Sequence, residues 1–169
     1  LFIGDIISEE NEMSWIEQTD LAPIWAAFPL LEEVGVRGGN NLRLSRINHS
    51  HLRKLVVQTG GMAKTILTDA FEANAPLEHL ELWLGSDDYG ADTSVKDLEP
   101  IMAGGLFPAL KYLGLCNSEY SDEIATRLAS APIMERIETL DLSGGTLKDA
   151  GAQALMASGQ IGRLKALNI

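Results

Sequence analysis

The sequence predicts an α/β solenoid, a right-handed horseshoe arc with about seven parallel strands on its concave face and helices on its convex face. Three observations predict it. A motif of the form L-x-x-L-x-L, with Val or Ile substituting, recurs at Leu31/Val34/Val36, Leu52/Leu55/Val57, Leu77/Leu80/Leu82, Leu110/Leu113/Leu115, Ile137/Leu140/Leu142 and Leu164/Leu167/Ile169, and Leu1 and Ile3 read as the tail of an earlier copy. Measured at the fourth motif position (residues 1, 34, 55, 80, 113, 140 and 167), the steps are 33, 21, 25, 33, 27 and 27 residues. Between the motifs, apolar residues fall at helical spacing, as over residues 63–71.

Each element follows from local chemistry. Apolar residues at the fourth and sixth motif positions alternate with period two, the pattern of a strand with one buried face. The first long step holds Asp20-Leu21-Ala22-Pro23-Ile24 and the second Asp97-Leu98-Glu99-Pro100-Ile101, each followed by Phe-Pro before a strand. Proline is tolerated in a helix's first turn, so both segments read as capped helices. Ser121 is the expected N-cap of a helix with Asp122 and Glu123 in its first turn, and Asp149 that of a helix ending at Gly159.

Composition bounds the function. A chain of 169 residues buries roughly 70% of its unfolded surface as one unit, so residues 1–169 read as a single domain without terminal caps. No apolar run approaches the roughly 20 residues of a membrane span. The net charge of -11 is concentrated, with six acids and no base in residues 1–20 and twelve acids against Lys96 and Lys111 in residues 69–123. Such a surface disfavours nucleic acid and acidic lipid and favours a protein partner of basic character. The lone Cys116 fits a reducing, cytoplasmic setting.

The segment Ile137-Glu-Thr-Leu-Asp-Leu-Ser-Gly-Gly-Thr-Leu147, continuing Lys-Asp-Ala-Gly-Ala-Gln-Ala-Leu155, resembles the repeat of ribonuclease-inhibitor-like leucine-rich-repeat proteins. With Ser14-Trp15-Ile16, residues 80–90 and Tyr112-Leu-Gly-Leu, the chain also resembles a bacterial cytoplasmic branch of that family whose function is not settled. The resemblance implies genes beside radical-SAM and ATP-grasp enzymes, and hence a scaffold or substrate-presenting role. The chain departs from the family three residues after each strand's last core residue, where Asn or Cys is usual. There it has Ile6, Gly39, Gly60, Gly85, Ser118 and Gly145. Glycine's freedom at positive φ is expected to shape these turns.

The third, fifth and seventh motif positions should face the concave side. They are Glu33, Gly35 and Arg37; Lys54, Val56 and Gln58; His79, Glu81 and Trp83; Tyr112, Gly114 and Cys116; and Thr139, Asp141 and Ser143. Trp83, Tyr112, Glu81, His79, Asp141 and Arg37 form the expected partner-binding set, because aromatic residues and Arg anchor interfaces. The alternative for Trp83 is cover by the loop 85–96. That loop groups Asp87, Asp88 and Asp92, a weak calcium-type set without EF-hand spacing, for which a solvated acidic loop is the stronger reading. His49 and His51 lack zinc-site spacing and read as surface or turn histidines. Cys116 reads as a small, half-buried strand residue, since His79 lies at a different level from it. No G-x-S-x-G, H-E-x-x-H, C-x-x-C or P-loop motif is present. The expectation is therefore a non-enzymatic protein-interaction or scaffold module without a cofactor. The alternatives are a structural repeat segment of a larger protein and a metal-dependent enzyme built on the acidic loop.

Overall fold

The computed structural model describes residues 1–169. It is an α/β fold on one open sheet of seven parallel strands in chain order: β1 (Phe2–Ile3), β2 (Glu33–Arg37), β3 (Lys54–Gln58), β4 (His79–Gly85), β5 (Tyr112–Ser118), β6 (Thr139–Asp141) and β7 (Ala166–Asn168). The register places Val34, Leu55, Leu80, Leu113, Leu140 and Leu167 in one row, as the motif spacing requires. Phe2 pairs with Gly35 and Ile3 with Val36, so the first residues form a short strand in the same register.

Five α-helices lie in the connections: α1 (Ala22–Ala27), α2 (Lys64–Phe71), α3 (Glu99–Met102), α4 (Ser121–Leu128) and α5 (Asp149–Ala157). Their buried residues join those of the fourth and sixth motif positions in one hydrophobic core, which includes Leu55, Val57, Ile66, Leu67, Leu113, Leu115, Ile124 and Leu128. The helices therefore pack on one side of the sheet. The other side is free for the remaining motif positions.

The connection from β2 to β3, which lies in the shortest step of 21 residues, has no helix. Leu42, Leu44 and Ile47 enter the core in its place. The irregular backbone is satisfied by distant side chains. Asp69 accepts the Leu44 and Ser45 amides at 3.1 and 3.2 Å while holding Arg43 at 3.0 Å, and Trp25 Nε1 donates to Leu44 O at 2.7 Å.

Several local expectations need correction. Ser121 is the first residue of α4 and not its cap; its hydroxyl donates to Ser118 O and accepts the Thr146 amide, tying two turns together. Asp149 likewise begins α5 after Lys148, although Gly159 does mark the end, with φ +69°. The two D-L-x-P-I segments are not equivalent. Asp20 accepts the Ala22 amide at the start of α1, whereas Asp97 closes a capping box with Ser94 around the 3₁₀ turn Val95–Leu98, one step before α3. Glycine's role in the turns is divided. Gly85 has φ +72°, but Gly60 and Gly145 have ordinary backbones and are required by close approach, because a Cβ would lie 2.0 Å from Ser14 Oγ and 2.3 Å from Ser121 Oγ respectively.

Candidate functional site

On the free side of the sheet, register alone brings His79 beside Tyr112 and Trp83 beside Cys116. The His79 and Tyr112 rings stack in parallel, with centroids 3.7 Å apart and planes 9° from coplanar. The Tyr112 hydroxyl donates to Asp141 Oδ2 at 2.8 Å, the same oxygen accepts Asn168 Nδ2 at 2.8 Å, and Asp141 Oδ1 accepts the Ser143 amide at 2.9 Å. Trp83 Nε1 donates to Glu81 Oε1 at 2.8 Å. His79 Nε2 lies 3.5 Å from Glu81 Oε2, although the pair falls short of hydrogen-bond alignment. Five of the six expected residues thus form one connected cluster across β4, β5 and β6.

The electrostatics follow from burial and donors. Asp141 is only 8% exposed, and burial alone would raise its pKa. The hydrogen bonds from Ser143, Asn168 and Tyr112 outweigh burial and bring the carboxyl down to about 2. Glu81 is held below the usual carboxylate range, first by the adjacent His79 ring and further by Trp83, against the effect of burial. Burial pushes the Tyr112 hydroxyl up, reinforced by its bond to Asp141 and the charge of Glu81. The site therefore carries fixed negative charge at neutral pH, without a cation in ion-pair contact with Asp141.

Arg37 stands apart from this cluster, two strands away on β2. Its guanidinium donates to Gln58 Oε1 at 2.9 Å and Ile6 O at 3.1 Å and lies 5.5 Å from the Phe2 ring centroid. It is occupied internally. Parts of the face also differ from the expectation of open residues, since Gly35, Val56 and Gly114 on its middle row and Cys116 beside Trp83 are buried. A Cβ on Gly35 would meet the Phe2 ring at 2.4 Å, and one on Gly114 would meet Glu81 Cγ at 2.9 Å, so longer neighbours lean across these positions. Cys116 is buried fully rather than by half. Its thiol pKa is raised by burial and by the Asp141 and Glu81 charges, which leaves it protonated.

The acidic loop is tied to the turn after β3, with Ser86 N donating to Gly60 O and Asp92 N to Met62 O, while Trp83 is half-buried. Asp92 accepts the Lys64 amide at the start of α2, Asp87 donates its amide to Glu119, and Asp88 is exposed. No group of three His, Cys, Asp or Glu side chains is gathered in metal-holding geometry, so Asp87, Asp88 and Asp92 do not converge. His49 departs from the surface reading. It is 3% exposed, with Nε2 3.0 Å from Phe28 O and Nδ1 3.3 Å from the His51 amide.

No protein-family model matches the chain, and no curated protein does. Among solved structures, the chain is similar to the crystal structure of a Bacteroides fragilis protein determined as a structural genomics target. The two share 35% sequence identity and superpose with a TM-score of 0.93 over 98% of this chain and 48% of that one. The chain spans about half the length of that protein.

Proposed function

We propose that the chain is an arc of a ribonuclease-inhibitor-like leucine-rich-repeat solenoid and that it binds a protein partner through the free side of its sheet, without catalysing a reaction. The observation that carries this reading is the Trp83–Glu81 pair beside the His79–Tyr112 stack anchored on Asp141. Large aromatic side chains fixed by neighbours, and therefore cheap to immobilise, are the usual anchors of protein interfaces. The charged side chains of this cluster are the carboxylates of Glu81 and Asp141, which suits a basic partner surface. A protonated, buried Cys116 and the dispersal of the three loop aspartates give an enzymatic reading no support.

Affinity capture with in-cell crosslinking, comparing the native chain with W83A/Y112A, tests the assignment. A partner held by the native chain should bind the double variant about 30-fold more weakly, as expected for loss of roughly 2 kcal/mol. Equal retention removes the face from the interface. A second reading is favoured by the length of the similar Bacteroides protein: the chain is a structural segment whose partner contacts lie elsewhere in a longer protein. Capture by a longer protein but not by residues 1–169 selects that reading.

A further inference from the structure

A second concavity lies away from the cluster on the sheet face, at the carboxyl ends of the central strands. It has a volume of about 530 Å³, within the roughly 300–1,000 Å³ of ligand pockets. Its lining includes Gly60 and Gly145, which follow β3 and β6, and Gly85 and Ser118, the last residues of β4 and β5. At Gly60, Gly85 and Gly145 a Cβ would collide with neighbouring protein atoms, so the missing side chains let these turns pack closely around the cavity. The 3₁₀ turn Met13–Trp15 forms one wall, held in place by Asn40 Nδ2 donating to Ser14 O at 2.9 Å. The turn Asp87–Tyr89 contributes another wall.

Two features of the lining point to one ligand chemistry. Trp15 and Tyr89 are 64% and 59% exposed, large rings left in water at the rim of the cavity. The charged residues in the lining are Glu12 and Glu119, with no Lys, Arg or His. Glu119 uses only Oε1, which accepts the Asp87 amide at 3.3 Å. Its second oxygen is free. Phosphate and carboxylate ligands are disfavoured by these charges, whereas a planar cation can lie against an aromatic face and donate to a carboxylate at the same time.

We propose that this cavity is a docking site for an arginine side chain of a peptide segment, with Trp15 and Tyr89 stacking on the guanidinium and Glu119 and Glu12 accepting its N–H groups. The site is separate from the Trp83–Tyr112 cluster and does not depend on that cluster's role. Arginine is favoured over lysine because a flat, forked head can lie on an aromatic face and donate to a carboxylate at once, whereas an ammonium is a compact, strongly hydrated charge.

Titration of the ¹⁵N-labelled chain with the capped tripeptide acetyl-Gly-Arg-Gly-amide, followed by NMR, tests the proposal, with the citrulline tripeptide as a neutral probe of the same shape. The arginine peptide should give saturable shifts at the amides of Gly60, Gly85, Ser118 and Gly145 and at the Trp15 indole. W15A and E119Q should each weaken it by roughly fivefold or more. Both positions are exposed, and a glutamine at residue 119 can still accept the Asp87 amide, so the fold is preserved. The proposal is overturned by an absence of saturable shifts at these residues, by citrulline binding as tightly as arginine, or by unchanged affinity in both variants.

Discussion

Asp141 shows how one residue can set both charge and order on the sheet face. A carboxylate this buried would ordinarily be neutralised, yet three hydrogen bonds from β5, β7 and the turn after β6 keep it ionised. Its folded-state pKa of about 2 lies below the ordinary value of 3.8. The stabilisation is therefore complete above about pH 4 and is lost as pH falls toward about 2. D141N should be less stable than the native chain by about 2 kcal/mol at pH 7, and the difference should shrink across that acidic window in urea titrations. Y112F isolates one of the donors. It keeps the ring stacked on His79 but removes the hydroxyl, so a loss of about 1–2 kcal/mol and an upward move of the Asp141 pKa, read by NMR pH titration, are expected.

At the scale of elements, the starts of α2 and α5 are secured by side chains from other connections. Asp122, in the first turn of α4, accepts the Lys148 and Gly151 amides at the start of α5 at 2.8 and 3.1 Å. Asp92, from the loop after β4, accepts the Lys64 amide at the start of α2 at 2.6 Å. D122A and D92A should each lose about 1 kcal/mol, the typical value of an N-cap. Hydrogen exchange should quicken in the first turn of α5 for D122A, more than in α4, and in that of α2 for D92A; faster exchange confined to the substituted segment contradicts cross-connection capping. This arrangement also explains what the sequence could and could not reveal. Strand register was legible because apolar period and motif spacing act locally, and register alone sets His79 against Tyr112. Ser121 and Asp149 misled because local cap rules assume that a helix is capped by its own neighbours in sequence. The cavity at the strand ends was illegible for the same reason, since residues 12–15 reach it from far earlier in the chain.

Across the whole molecule, each strand pairs only with the strands before and after it in sequence, so no contact within the sheet joins its two ends. Stability in such a stack is approximately a sum of local terms and nearest-neighbour couplings, and damage should spread only as far as those couplings reach. Leu113 and Leu167 occupy the same motif row but different surroundings: Leu113 is fully buried between β4 and β6, whereas Leu167 on β7 is 37% exposed. L113A should cost roughly 2–5 kcal/mol and L167A less than about 1 kcal/mol. Amide exchange followed by mass spectrometry would also resolve where the loss is felt. For L113A, protection should fall most in β4, β5 and β6 and least in β1 and β2, where Val34 and Val36 keep their own core contacts. A uniform fall across all strands would instead show that the sheet opens as one cooperative unit, with the single core that runs beneath it overriding the one-dimensional pairing above.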